Sequence, residues 1–265
     1  MENWERFELE CTNYLNDKYG NNNIRFATDG GHNANASDVK ALRDGSELLT
    51  IECKMAAAQC GQFVLFTDHA ARTFEFSKRN KTPRDRYVDA IIAEMTKIYD
   101  RCSEPSNDDL DIRESVIVDW VKSYYRDVKH SEFLITQGEN GFLIIRISNI
   151  DHYFSFTAKY RPKTSGSTHP AKSNISEINE ALRSIGIETV VTHSKEECFV
   201  ECNIETERLI LQGKKYRYQL KKEGRRHHIR RLSNTRNANF IVSIKLKNST
   251  QQASDTEAFK ARLLE

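Results

Sequence analysis

The sequence predicts an α/β (α+β) fold, in which a mixed sheet is flanked by helices and followed by a basic α+β region. Apolar residues recur at helical spacing in some segments and alternate with polar residues in others. The length of 265 residues suits one large domain or two small ones. Charge is also unevenly distributed: the net charge is only +2, yet 208–247 contains thirteen Lys or Arg and one acidic residue, Glu223.

The first half of the chain begins with a helix and continues mainly as strands. Helical spacing of apolar residues predicts helices over 3–18, 85–101 and 114–128. Alternating or continuous apolar runs predict strands over 24–27, 39–42, 48–51, 62–66, 133–135, 142–147 and 154–159. Asp44-Gly45 predicts a tight turn between the second and third of these strands.

The second half is predicted to be a separate α+β region. The acid-free stretch 161–174 predicts a loop, and 177–185 predicts a helix. Alternating patterns follow over 187–192, 198–204, 208–211, 216–220 and 239–246. We therefore expect a core over 1–150, a basic region over 151–250 and a polar tail over 251–265, with a short helix in that tail.

Several classes of protein are excluded by composition. The mean hydropathy is −0.67, and no apolar run approaches the length of about 18 residues that a membrane helix needs. The start MENWERFELE is typical of neither a secretory signal nor a transit peptide. The six cysteines include no Cys-x-x-Cys pair, which favours reduced thiols in a cytosolic protein. Phosphate-binding loop, dinucleotide and nucleophile-elbow motifs are absent from the sequence.

The strongest chemical signal is Asp38 together with Glu52 and Lys54. Asp38 begins one predicted strand and Glu52 ends the next, so a hairpin brings both carboxylates to one edge of a sheet. Alternation places Glu52 and Lys54 on the same face. Carboxylate oxygens bind Mg²⁺, and the lysine is suited to orienting or deprotonating water or to stabilising a charged transition state. This combination predicts phosphodiester hydrolysis.

Two other Asp-x-Lys sequences offer competing interpretations. Asp38-Val39-Lys40 with Asp29 upstream is a rival arrangement, while Asp127-Val128-Lys129 is expected to be a solvated charge pair at a helix end. The Glu52 arrangement is preferred because an apolar strand leads into it. An ordinary charged strand end at the surface remains the alternative for the Glu52 arrangement.

The order of helix, strand, acid, turn, strand and Glu-x-Lys resembles the PD-(D/E)XK nuclease superfamily, in particular type II restriction endonucleases. The resemblance covers about 3–66 and implies a restriction-endonuclease-like mixed sheet core. It implies that Asp38 and Glu52 bind Mg²⁺, with Lys54 as the catalytic lysine. It also implies a metal-supporting Glu8, or Glu10, and a following glutamine, Gln59 or Gln62. Ser37 stands where the family name has proline, a departure found in many members.

Basic residues in the second half predict contacts with DNA, because Lys and Arg neutralise phosphates and Arg reads guanine edges. A solvated surface is the alternative in both segments. The candidates in the loop are Arg161, Lys163, Ser165, Ser167, His169 and Lys172, and those in the later basic run are Lys214, Lys215, Arg225, Arg226, Arg230 and Arg231.

These observations lead us to expect a Mg²⁺-dependent, sequence-specific endonuclease that cuts double-stranded DNA. A double-strand cut with one active site per chain favours a homodimer. The resemblance implies a prokaryotic cytoplasmic enzyme of a restriction-modification system, with a cognate DNA methyltransferase as a functional partner. The alternatives are a structure-specific nuclease, such as a junction resolvase or repair nuclease, and a non-enzymatic nucleic-acid-binding protein.

Overall fold

The computed structural model describes residues 3–29, 37–162, 168–203, 205–232 and 238–265. The described α-helices, in chain order, are α1 (Asn3–Tyr19), α2 (Arg86–Lys97), α3 (Tyr99–Cys102), α4 (Glu114–Ser123), α5 (Ile150–Tyr153), α6 (Ile175–Arg183) and α7 (Ala253–Leu264). The described strands are β1 (Ile24–Thr28), β2 (Val39–Arg43), β3 (Ser46–Cys53), β4 (Ala57–Asp68), β5 (Thr73–Phe76), β6 (Phe133–Gly138), β7 (Gly141–Arg146), β8 (Phe154–Pro162), β9 (Thr192–His193), β10 (Cys198–Glu201), β11 (Arg208–Gln212), β12 (Arg217–Glu223), β13 (Arg226–Arg231) and β14 (Ala238–Leu246).

The first sheet is mixed, as the sequence predicts. Its five strands lie in the order β1-β2-β3-β6-β7. β3 and β6 are parallel, whereas the other neighbouring pairs are antiparallel. A parallel pair needs a long crossover, and here the chain passes through β4, β5 and the helices α2 to α4 before it returns as β6.

Both faces of the first sheet are covered by hydrophobic side chains. On one face, Leu15 of α1 and Phe259 of α7 belong to the same buried cluster as Phe133 of β6. The next residue along β6, Leu134, belongs to a second buried cluster that also contains Val121 of α4. Successive strand residues point to opposite faces, so this alternation is what a sheet buried on both sides requires.

The second sheet packs against the same helices. Its strands lie in the order β5-β4-β14-β8, and β14 runs antiparallel to β4. A Cβ atom at Gly61 of β4 would lie 2.6 Å from the ring of Trp120 of α4. Glycine therefore permits the close approach of α4 to this sheet.

The chain divides into two compact units, one of Met1–Arg161 with Ala238–Glu265 and the other of Pro162–Asn237. The second unit contains the third sheet, with strand order β11-β12-β13-β10-β9, and helix α6. The predicted boundaries at 150 and 250 therefore differ from the observed ones. The physical reason is that β8 and β14 are neighbours in the second sheet, so both strands belong to the first unit.

The segment predicted as a polar tail is a helix that contributes to the core. In α7, Phe259 is fully buried, and its ring stacks with that of Phe26 and meets that of Phe133 edge to face. Asp255 is also fully buried, and its two carboxylate oxygens accept hydrogen bonds of 2.7 Å from Asn149 and Tyr153. The short helix was predicted in this segment, but its burial was not, because two apolar residues four apart are a weak signal of a buried face in a polar segment.

Other elements differ from prediction in their bounds. The predicted helix 85–101 is divided at Ile98, and the predicted helix 114–128 ends as a π-helical turn, Tyr124–Val128. Strands β5 and β13 are additional to the predicted elements, since short or strongly basic strands have little apolar alternation. Of the predicted strand 187–192, only β9 forms.

None of the described helices combines the length and apolar character needed to cross a membrane. The six cysteines are free thiols, and five of them are buried.

Three side-chain amides complete the hydrogen bonding of exposed strand backbone. Asn16 of α1 accepts from the amide N–H of Phe26 in β1 and donates to its carbonyl, at 2.9 and 2.8 Å. Gln251 does the same for Ile144 in β7, at 2.8 and 2.9 Å. Asn80 pairs in this way with Val64 of β4, close to where β5 stops pairing. We call these side chains the amide caps; each satisfies one donor and one acceptor of the backbone.

We expect Asn16→Asp to destabilise the fold, because a carboxylate accepts from Phe26 but cannot donate to its carbonyl. The free energy of unfolding should fall by about 1–3 kcal/mol, measured by urea denaturation near neutral pH. The matched control is Asn22→Asp, which introduces the same charge at an exposed loop position. Equal stability of the two variants would contradict a role for the cap.

Candidate active site

The turn between β2 and β3 brings Asp38 and Glu52 together. Asp44 and Gly45 have φ values of 49° and 83°, as a two-residue type I′ hairpin turn requires. The strands pair so that Val39 lies opposite Ile51. Asp38 precedes Val39 and Glu52 follows Ile51, so the antiparallel pairing brings both acids to the same end of the hairpin, as the sequence predicts.

Lys54 lies between the two carboxylates. Its Nζ atom is 3.0 Å from Asp38 Oδ2 and 3.0 Å from Glu52 Oε2. Asp38 Oδ2 also accepts a hydrogen bond of 2.8 Å from the backbone N–H of Cys53. Burial acts to lower the pKa of Lys54, but the charges of Glu52, Tyr125 and Asp38 prevail and raise it well above its ordinary value. Lys54 is therefore an ammonium group held between two acids.

Glu52 is fully buried and faces a second lysine. Lys129 Nζ lies 3.4 Å from Glu52 Oε1, and Ser131 donates a hydrogen bond of 3.4 Å to the same oxygen. Lys129 is itself only 9% exposed, so it is not the solvated charge pair that the sequence predicted. Burial raises the pKa of Glu52, while the two ammonium groups oppose that shift.

A π-helical turn delivers Lys129 and Ser131 to the site. The N–H of Lys129 donates to the carbonyl of Tyr124, five residues earlier, at 3.1 Å. Ser131 N–H donates to the Tyr125 carbonyl at 2.9 Å, and His130 between them has a φ of 54°. Such turns are frequent at functional sites. The sequence carries no recognisable signal for this turn, which is why both residues were missed.

Ser37, which immediately precedes Asp38, ties the same loop to the hairpin. Its hydroxyl donates to the Lys129 carbonyl at 2.7 Å and lies 3.1 Å from the Ser131 hydroxyl. Ser37 is buried. Proline has no side-chain donor, so this link depends on the serine.

Glu8 of α1 lies beside these residues. Burial, then the charges of Asp38 and Glu52, raise the pKa of Glu8 to about 7, although Lys54 acts in the opposite direction. Glu8 and Lys54 line a pocket of about 330 Å³, together with Gln59. The sequence left open whether Glu8 or Glu10 is the metal-supporting glutamate. Glu10 is exposed and pairs with Arg6 at 3.7 Å, so Glu8 is the better candidate.

The two candidate glutamines lie on β4 but differ in position. Gln59 lines the pocket with Glu8 and Lys54. Gln62 does not line this pocket, and its side-chain oxygen accepts from Asn239 at 3.3 Å. Gln59 is therefore the better candidate for a substrate contact.

The rival arrangement around Lys40 also forms, but at the surface. Lys40 Nζ lies 2.8 Å from Asp29 and 3.0 Å from Glu47, and the three side chains are 31% to 50% exposed. Exposed ion pairs contribute little to stability, because water and salt screen their charges. The buried arrangement around Glu52 is the stronger candidate for catalysis.

The residues around Lys54 fit a divalent cation such as Mg²⁺. Within the described ranges, no three His, Cys, Asp or Glu side chains form a metal-holding group. Mg²⁺ keeps several waters and is usually held by one or two protein carboxylates plus substrate phosphates. Glu52 Oε2 is buried and lies 3.0 Å from the Lys54 ammonium. This oxygen and Asp38 Oδ2 converge on the same positive charge, and Glu8 lies close enough for the charge of Asp38 to raise its pKa, so the acidic side chains suit a cation.

The loop residues predicted to contact DNA are dispersed. Arg161 is exposed at the end of β8, and Lys172 is exposed at the start of a 3-10 turn. His169 lies 2.9 Å from the carbonyl of Ser194. Lys163, Ser165 and Ser167 lie outside the described residues.

The later basic run forms β12, β13 and their connections. Arg225 occupies the β12–β13 turn, and Arg230 is exposed on β13. Their neighbours have local partners: Lys214 pairs with Glu180, the Lys215 N–H donates to Glu177, Arg226 pairs with Glu201, and Arg231 lies over the ring of Tyr216. Several of the predicted residues therefore already make contacts within the second unit.

We expect Lys129→Met to destabilise the metal-free protein, because it leaves Glu52 with one of its two ammonium partners. The free energy of unfolding should fall by about 2–4 kcal/mol, measured in urea at about pH 8. Adding Glu52→Gln should restore most of this loss, since the uncompensated charge is then removed. A double variant no more stable than Lys129→Met would contradict this pairing.

We also expect Glu8 to titrate near pH 7 in the metal-free protein, as its raised pKa requires. Asp38→Asn should lower that pKa, because it removes a negative charge that disfavours ionisation of Glu8. Carbon-detected NMR of the glutamate carboxyl groups measures both values. An ordinary glutamate pKa in the unmodified protein would contradict the burial of Glu8 beside Asp38.

Comparison with known proteins supports the predicted fold. No protein-family model and no curated protein matches the sequence. A search of solved structures finds the HhaI endonuclease in complex with DNA, with 33% sequence identity, a TM-score of 0.72 and complete coverage of both chains. The restriction-endonuclease-like fold predicted from the sequence is confirmed by this match. The chain belongs to the family of the HhaI endonuclease and has the fold of a type II restriction endonuclease.

Proposed function

We propose that the protein is a Mg²⁺-dependent, type II site-specific deoxyribonuclease of the PD-(D/E)XK superfamily. The observation that carries the proposal is the convergence of Asp38, Glu52 and Lys54 at one end of the β2–β3 hairpin. The structural relative is an endonuclease in complex with DNA, which supports double-stranded DNA as the substrate.

In this proposal, the acidic residues would bind the metal ion at the site of the reaction. Asp38 and Glu52 would hold the cation, and Glu8 would support it. When bound, Mg²⁺ would offset negative charge on the scissile phosphate and make water more acidic. Lys129 and Ser131 fix the Glu52 carboxylate through Oε1, which leaves Oε2 on the side of Lys54.

Lys54 is the group proposed to act on the reacting atoms. Its Nζ atom is anchored between the two acids and carries a positive charge, so it would orient the attacking water by donating a hydrogen bond to it. The same positive charge stabilises the negative charge that develops at phosphorus. Gln59, which lines the pocket, is placed to contact the substrate beside this reaction centre.

The proposed reaction also sets expectations for assembly and context. A double-strand cut by a chain with one such site favours a homodimer that matches a palindromic sequence. A sequence-specific nuclease of this type would act in a restriction-modification system in a prokaryotic cytoplasm. Its cognate DNA methyltransferase would protect the same sequence and is proposed as a functional partner.

The proposal is tested by incubating the purified protein with a sequenced plasmid and phage DNA, with Mg²⁺ or with EDTA. Discrete fragments that appear only with Mg²⁺ are expected, and sequencing of their ends would give the recognition site. A smear would indicate a structure-specific or nonspecific nuclease. No cleavage of unmethylated or branched DNA would contradict nuclease activity and favour a nucleic-acid-binding protein.

We expect Lys54→Ala to lower the rate of Mg²⁺-dependent cleavage by a factor of about 10²–10⁴, because it removes the positioned donor. Lys40→Ala is the matched control, since Lys40 lies on the same hairpin in the surface ion-pair group with Asp29. Single-turnover cleavage of plasmid measures both variants. A fully active Lys54→Ala variant would contradict the proposed mechanism. Loss of activity only in Lys40→Ala would favour the rival arrangement around Lys40.

A further inference from the structure

The third sheet has two faces of different chemistry. On one face, Tyr218, Leu220 and Ile229 are buried in a cluster with Ile178 and Leu182 of α6. Strand residues between these buried positions point to the opposite face. The described helix of this unit, α6, packs against the buried face of the sheet. The opposite face is therefore covered by no described helix of the unit.

Register places polar and basic side chains in rows across the opposite face. Arg208 of β11 lies opposite Lys221 of β12. In the next row, Gln219 of β12 lies opposite Arg230 of β13. Beyond these, Gln212 of β11 lies opposite Arg217 of β12. We call these six side chains the basic sheet face; five are exposed, and Gln219 is half-buried.

Acidic residues are confined to one end of this face. Glu201 pairs with Arg226 at 3.3 Å, and Glu223 lies 3.4 Å from Lys221. Farther along the strands, neither Arg208 nor Arg217 makes an ion pair within the described part of the chain. The face therefore presents excess positive charge away from its acidic end.

We propose that the basic sheet face is the surface of this unit that binds duplex DNA. The proposal rests on the proposed function, which supplies the substrate. Arg side chains neutralise phosphates and bond bidentately to guanine, and Gln side chains bond to adenine, so this composition fits the duplex. The major groove admits a two-stranded β-ribbon, which β12 and β13 provide.

This assignment changes the set of residues expected to contact DNA. Arg208, Arg217 and Lys221 enter it, although the sequence did not single them out. Lys214 and Lys215 leave it, because they lie beside α6 and not on this face: the Lys214 ammonium pairs with Glu180 at 2.9 Å, and the backbone N–H of Lys215 donates to Glu177. A linear run of basic residues thus separates into a DNA-facing set and a set that pairs within the unit.

The experiment measures binding of a mixed-sequence duplex of about 30 base pairs by fluorescence anisotropy, with EDTA present to prevent cleavage. Arg208→Ala and Arg217→Ala should each reduce the slope of log affinity against log salt by about 1. The double variant should bind about tenfold more weakly at low salt. Arg183→Ala is the matched control, because Arg183 is exposed on α6, and it should bind like the unmodified protein.

Unchanged affinity and salt slope in the double variant would overturn the assignment of this face. If the unmodified protein still cleaves DNA with Mg²⁺, the proposed function would stand. If the unmodified protein neither binds nor cleaves duplex DNA, both proposals would fall. Circular dichroism melting confirms that each variant is folded before binding is compared.

Discussion

The fully buried carboxylate of Glu52 is the constraint on which the candidate active site depends. A buried carboxylate without partners costs several kcal/mol, so the surrounding chain must supply positive charge and hydrogen-bond donors. Two ammonium groups do this from different parts of the sequence, Lys54 from the end of β3 and Lys129 from the π-helical turn. The site is thus built around one charge that the fold cannot leave uncompensated.

That requirement links local turns to the long-range topology. The backbone N–H of Lys54 donates to the carbonyl of Ile135 in the parallel neighbour β6, at 3.0 Å. Lys129 and Ser131 directly precede β6. The crossover that makes β3 and β6 parallel therefore also brings the π-helical turn to Glu52. Sheet topology and charge compensation are satisfied by the same connection.

The parts of the site predicted from sequence are those set by short-range geometry. Strand alternation and the Asp44-Gly45 turn were sufficient to bring Asp38, Glu52 and Lys54 together. Lys129 was missed because its position depends on a π-helical turn and on a pairing between segments nearly 80 residues apart. No local pattern encodes such a contact.

The fold shows the same division between local and long-range information. Most helices and strands were predicted near their observed positions, because each buries a periodic apolar face. The domain boundary was displaced because β8 and β14 join one sheet only through a pairing across the whole second unit. The contribution of α7 was missed because Phe259 finds its partners, Phe26 and Phe133, far away in sequence.

The amide caps have a consequence for how copies of this chain can associate. Exposed strand edges invite strands of another molecule, which leads to continuous intermolecular sheets and aggregation. Asn16 and Gln251 occupy the backbone groups through which the two outer strands of the first sheet would recruit such a strand. They do so as neutral groups, without the lysine or proline often found at such edges. At these positions, association by shared sheets is blocked, so a specific pairing of subunits would have to be encoded by side-chain surfaces.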